Sequence, residues 1–81
     1  MRRLTLYSRP DCHLCELLVA DLMPLLSPDI QLDIVDISDD IELTRRYGLR
    51  IPVLLEKGQE LSSYPLDKAQ VRAQLALNEL P

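Results

Sequence analysis

The stretch Leu6-Tyr7-Ser8-Arg9-Pro10-Asp11-Cys12-His13-Leu14-Cys15 decides how this chain is read. It begins in a short apolar run, Leu4-Thr5-Leu6-Tyr7, and passes through Ser8-Arg9-Pro10-Asp11, which has the composition of a loop. From about Cys12 to Met23 the apolar residues Leu14, Leu17, Leu18, Val19 and Leu22 recur at helical spacing. The Leu17/Leu18/Leu22 stripe is read as core. Asp11 is expected to cap the helix by accepting a backbone N–H of its first turn. Pro24 and Pro28 end the segment, since each lacks an N–H and crowds the preceding turn. Two cysteines three residues apart therefore stand where a strand hands over to a helix.

That position has chemical consequences. At a helix start, Cys12 meets free backbone N–H groups and the positive end of the helix dipole, both of which favour thiolate. Arg9 adds positive charge from the loop, and a thiol more acidic than an ordinary cysteine is expected at Cys12. Cys15 projects from the same helix face one turn deeper, within disulfide reach. C-x-x-C between a strand and a helix reads as a thiol–disulfide motif, with Cys12 as nucleophile and Cys15 as resolving thiol. The bland alternative is a pair of small core residues. Structural zinc takes four ligands, and Cys12, Cys15 and the only histidine, His13, supply three, so no metal site is expected within one chain. His13 is either an exposed turn residue or, as a cation, a group that favours the Cys12 thiolate and makes the disulfide more oxidising.

Outward from this segment, Ile30 to Ile37 alternates as a second strand. Ser38-Asp39-Asp40 offers helix caps, with Asp39 and Glu42 forming a variant capping box. A short helix then runs to about Tyr47, closed by Gly48 in the left-handed conformation. Ile51-Pro52-Val53-Leu54-Leu55 is a third strand, and Lys57-Gly58 turns it into a fourth at Gln59-Glu60-Leu61. Pro65-Leu66-Asp67 introduces a last helix over roughly Lys68 to Leu80, with Val71, Leu75 and Leu80 among its apolar positions. The acidic pairs Asp39-Asp40 and Glu56/Glu60 are read as a solvated helix cap and hairpin rim. The order β-α-β-α-β-β-α predicts an α/β fold: a four-stranded mixed sheet, its first two strands parallel through a right-handed crossover, with helices on both faces.

Composition bounds the function. The 81 residues make one domain spanning 1–81, 47% hydrophobic, with eighteen leucines filling a core that has no Phe and no Trp. A net charge of −4 repels phosphate backbones, so no nucleic-acid partner is expected. Gly48 and Gly58 are the only glycines, which excludes a Gly-rich phosphate cradle. No apolar run is long enough for a membrane span. Arg2-Arg3 is not followed by the apolar stretch of a signal peptide, so a cytoplasmic monomer is expected, and there thiols are kept reduced and available for reaction.

The quoted stretch resembles the first strand and active-site loop of glutaredoxins, which read aromatic-Ser-Lys-x-x-Cys-Pro-Tyr-Cys. Tyr47-Gly48-Leu49-Arg50-Ile51-Pro52-Val53-Leu54 is similar to the later thioredoxin segment that carries a cis-proline. The element order matches the glutaredoxin-sized thioredoxin-like fold end to end. By this resemblance Pro52 is the cis-proline facing the two sulfurs and Ile51 pairs its backbone with a bound thiol peptide; Arg50 just before it is either an exposed loop arginine or a group that holds a substrate carboxylate. Where glutaredoxins carry Gly-Gly and then Asp for the γ-glutamyl end of glutathione, this chain reads Ser62-Ser63-Tyr64-Pro65-Leu66-Asp67. Ser63 and Asp67 are the residues it offers there, and His13-Leu14 replaces Pro-Tyr between the cysteines.

The resemblance implies a divergent glutaredoxin-like thiol–disulfide oxidoreductase acting on a disulfide-bearing protein or a small thiol. Glutathione or a reductase would restore the dithiol, glutathione acting as co-substrate with no tightly bound cofactor. Two other readings stand beside it: a non-catalytic thioredoxin-like binding module using the Pro52 groove, and an iron–sulfur carrier in which Cys12 and glutathione from two protomers hold a [2Fe–2S] cluster.

Overall fold

Alternation along residues 2–8 sends Leu4, Leu6 and Ser8 into the interior on one face of a strand, while Thr5 and Tyr7 point to the other. This strand, β1 (Arg2–Ser8), is followed by α1 (His13–Leu22), a 3-10 turn at Met23–Leu25, β2 (Ile30–Asp36), α2 (Ile41–Tyr47), β3 (Val53–Glu56), β4 (Gln59–Ser63) and α3 (Lys68–Leu77). The structure, a computed structural model, describes residues 2–77. Leu80, assigned from the sequence to the last helix, lies outside the described residues.

The four strands form one sheet in the order β2-β1-β3-β4. β1 and β2 are parallel in the register Arg2↔Ile30 to Ser8↔Asp36, and β1 and β3 are antiparallel through Leu6↔Leu54. β3 and β4 form the hairpin closed at Glu56↔Gln59. Its two-residue turn requires positive φ at both positions. Lys57 (φ 52°) and Gly58 (φ 80°) adopt it, in the hairpin turn expected at these two residues. A bulge sets Leu54 opposite Ser62 and Leu55 opposite Glu60, leaving Leu61 as the extra residue, so that Leu61 and Ser62 are both buried in succession.

The core lies on one face of the sheet, where Leu18 and Leu22 of α1 and Val71 and Leu75 of α3 pack on Leu4, Leu6, Leu54 and Leu61. α2 covers the other face, its Tyr47 ring 5.0 Å from that of Tyr7. All four residues of β3 are buried, as expected of an inner strand covered on both faces. The result is the thioredoxin-like arrangement of a four-stranded mixed sheet and three helices.

Several local expectations are corrected. The buried stripe of α1 is Cys15, Leu18 and Leu22, whereas Leu17 is 37% exposed and Leu14 45%. At 3.6 residues per turn Leu17 falls well round the helix from the Leu18–Leu22 line. α2 is capped by Asp40, not Asp39: Asp40 Oδ1 accepts from Leu43 N–H at 2.9 Å. Gly48 is not left-handed but continues the helical conformation (φ −56°, ψ −34°). Its lack of a side chain is needed for close approach, because a Cβ there would stand 2.5 Å from the Thr44 carbonyl oxygen.

Glu56 is not a solvated rim residue. It is 8% exposed and takes two hydrogen bonds from the Arg2 guanidinium, at 2.6 and 2.9 Å. Arg2 also donates to the carbonyls of Gln74 and Leu75, tying β1 to β3 and α3. These bonds hold the Glu56 carboxyl below its ordinary value of 4.5. A carboxylate depressed on folding contributes stability that is present at neutral pH and lost as pH falls below that ordinary value. Denaturant unfolding from pH 7 to pH 3 is therefore expected to show a shallower acid loss in Glu56→Gln than in the parent chain. That variant should also be less stable at neutral pH, where the charged partner is missing.

Candidate active site

The end of β1 delivers the site. After Ser8 the chain turns through Pro10 and Asp11, and Asp11 takes a left-handed conformation (φ 59°) that a short polar side chain tolerates. Because Asp11 is used in the turn, it does not cap the helix, contrary to the sequence expectation. The cap is Cys12 itself. In the extended conformation (φ −95°, ψ 100°), its sulfur accepts the backbone N–H of Cys15 at 3.1 Å. Its carbonyl accepts the first helical hydrogen bond, from Glu16 N–H at 3.2 Å. An oxygen-bearing side chain is the usual occupant of such a position, so a sulfur cap was not readable from propensity.

Cys12 and Cys15 are joined as a disulfide with Cα atoms 5.2 Å apart. The two sulfurs differ in environment. Cys15 is only 4% exposed and belongs to the buried stripe of α1, while Cys12 sits at the mouth of the helix, half-buried. Beside them lies a cavity of about 320 Å³, lined by Leu6, Ser8, Arg9, Asp11, Glu16, Val19 and Ile34 as well as both half-cystines. Arg9 is exposed and makes no ion pair among the described residues, and it also lines a smaller concavity with Ile37, Ser38, Thr44, Gly48 and Ile51. His13 is exposed, with Nδ1 3.9 Å from a Glu16 carboxylate oxygen.

The other candidate residues come from the β3 end of the sheet. Tyr7 pairs with Val53, so one step further along the ladder Pro52 stands beside Ser8, at the edge from which the Cys12 loop departs. Pro52 is fully buried and the Ile51–Pro52 peptide is cis, the isomer the resemblance implies there; Tyr64–Pro65 is cis as well. Ser63 pairs with Val53 at the same end of the sheet. Asp67 caps α3, accepting from Gln70 N–H at 3.0 Å, while its own N–H donates to Ser62 Oγ at 3.0 Å. Arg50 reaches away along the hairpin, its Nη2 hydrogen-bonded to both Glu60 carboxylate oxygens at 2.5 Å and its guanidinium 5.9 Å from the centre of the Tyr47 ring.

The structure thus gathers Arg9, Cys12 and Cys15 around one cavity and links them through Arg9 to Ile51. Ser63 and Asp67 lie apart from that cavity, on the hairpin and at the α3 cap. Ser8, Val19 and Ile34 line the same cavity and were not singled out from the sequence. The signal for Ile34 was its alternation with Asp33 and Val35, but assigning it to this face required the β1–β2 register.

A thioredoxin-like sheet with a C-x-x-C pair at the mouth of its first helix defines the class. The family model described as "Glutaredoxin-like domain (DUF836)" matches residues 3–76, and the chain belongs to that family. The X-ray structure of structural genomics target protein XcR50 from X. campestris is 42% identical to it, with TM-score 0.71, covering 96% of this chain and 99% of that one. The solution structure of the same target is 40% identical, with TM-score 0.72, covering 100% of this chain and 97% of that one. No curated protein matches.

The unequal burial of the two sulfurs leads to a direct expectation. After reduction, brief treatment with iodoacetamide should label Cys12 well before Cys15. Peptide mapping that found equal labelling, or Cys15 labelled first, would contradict the exposure difference.

Proposed function

We propose that the chain is a thiol–disulfide oxidoreductase. The observation that carries this reading is the half-buried Cys12 sulfur, which accepts a backbone N–H at the start of α1 while disulfide-bonded to a buried Cys15. An atom that accepts a hydrogen bond from the helix mouth is better served as an anion, so the same geometry favours thiolate in the reduced form.

In the cycle, the Cys12 thiolate attacks one sulfur of a substrate disulfide. A Cys12–substrate disulfide forms, the substrate S–S bond breaks, and the other substrate sulfur leaves as a thiolate that takes a proton from solvent. The Cys15 thiol then loses its proton and attacks Cys12 Sγ, forming the Cys12–Cys15 disulfide and releasing the second substrate thiol. Two electrons have passed to the substrate. Two glutathione molecules, or the dithiol of a reductase, return them by the reverse exchange, being oxidised to a disulfide. Arg9, beside the cavity, favours the anionic sulfurs of both steps, and Ile51 lines the adjoining concavity that shares Arg9 with it.

Equilibration in glutathione redox buffers, with thiol state read by intact mass, tests the proposal. A reversible two-hydrogen loss is expected, with a midpoint in the range of roughly −120 to −270 mV spanned by C-x-x-C oxidoreductases. Cys15→Ser should accumulate a glutathione adduct on Cys12, because the resolving thiol is gone, whereas Cys12→Ser should form little adduct. A pair that stays dithiol in every buffer overturns the reading.

A further inference from the structure

β2 is an edge strand. It has β1 on one side and, among the described residues, no strand on the other. Ile37 N–H donates to Ser8 O at 2.9 Å, and in a parallel ladder alternate residues point to the same neighbour. The backbone groups of residues 35, 33 and 31 therefore face β1, and those of Leu32, Ile34 and Asp36 face the open edge. Consistent with this phase, Ile30 N–H turns away from β1 and donates to Ser27 O at 3.0 Å. An unpaired edge of this length is a template for another strand.

A trough runs beside that edge. The cavity at the cysteines shares Val19 and Ile34 with a second concavity of about 480 Å³, lined by Val19, Met23, Leu26, Ile30, Leu32 and Ile34. It shares Ser8, Arg9 and Ile34 with a third, of about 240 Å³, which ends at Pro10 and Asp36. Ile34, common to all three, is 58% exposed, and Met23 is 53% exposed. The trough is thus an apolar surface alongside an open strand, with the disulfide near its middle.

Charge selects the occupant. Asp36 accepts from the N–H and hydroxyl of Ser38, which hold its carboxyl below the usual range, and it makes no ion pair among the described residues. Asp11 and Glu16 add two acids at the cysteines against the single cation Arg9. Asp33 is paired with Arg3 at 3.1 Å. A second copy of the chain, itself at net charge −4, would bring its own Asp33 and Asp36 to the same edge, and like charges facing across strands are destabilising. A basic extended segment meets both the open backbone and the acidic rim.

We propose that the β2 edge and its apolar trough dock an extended protein segment whose alternate, trough-facing side chains are apolar beside Ile34 and basic beside Asp36, adding it as a fifth strand, and that this segment presents the disulfide exchanged at Cys12–Cys15. The second clause rests on the oxidoreductase reading above; the docking does not. Strand addition supplies backbone hydrogen bonds, while the trough reads alternate side chains.

The test is amide NMR of isotope-labelled protein titrated with a short synthetic peptide that carries valines and lysines at alternate positions, with threonines between them and serine at the cysteine position. Saturable shifts are expected at Leu32, Ile34 and Asp36. Binding should weaken by about tenfold or more when the peptide backbone is N-methylated at alternate residues, when its lysines become glutamates, or in Ile34→Lys, a change at an exposed side chain. Shifts confined to residues 51–53, or no saturable shift at β2, overturn the proposal. Reduction of a small disulfide, measured in parallel, reads the redox function alone. Binding along β2 without reduction keeps the docking site and removes the oxidoreductase, whereas reduction without β2 shifts removes the docking site.

Discussion

β1 is hydrogen-bonded along both edges, to β2 over its whole length and to β3 from Thr5 to Tyr7. Its side chains are also packed from both faces, Leu4 and Leu6 into the helix-covered core and Tyr7 against Tyr47. A strand so held has little freedom at its C-terminal end. The cysteine pair is attached there: Ser8 ends the strand, three residues turn, and Cys12 opens α1. α1 is in turn fixed by Leu18 and Leu22, so the position of the two sulfurs follows from how one short strand is anchored. Sites built on such rigid elements hold their geometry better than sites on free loops.

The opposite end of β1 is fastened differently. Arg2 reaches Glu56 on β3 and two carbonyls of α3, joining three elements through one guanidinium with five donors in a fixed fork. A core built from aliphatic side chains without Phe or Trp makes non-directional contacts, and this polar fastening adds direction at the end farthest from the cysteines. β1 is thereby pinned by charge at one end and leads to the cysteine pair at the other.

Much of this was legible in the residues because it depends on neighbours in sequence. The Lys57-Gly58 turn needs positive φ at two adjacent positions, and a glycine supplies one of them. The C-x-x-C spacing keeps the two sulfurs within one turn of each other, here with Cys12 as the extended cap residue and Cys15 in the first turn of α1. The helix caps were less legible, since several acids compete at each start and the winner depends on how the preceding loop is held. Asp11 lost the cap to Cys12 because the turn out of β1 needed a left-handed residue, and Asp39 lost to Asp40 by one position. Glu56, read as a rim residue from its place beside the turn, is buried because Arg2 lies across the sheet from it, a partner fifty-four positions away.

By itself, then, the sequence determined the order of elements, the class of fold and the place of the cysteine pair, because periodicity, turn residues and a three-residue spacing act locally. The tertiary structure alone decided which residue caps each helix, which acid is buried, and which strand is left at the edge beside the disulfide. Those outcomes depend on register and strand order, which bring together residues that no local pattern connects.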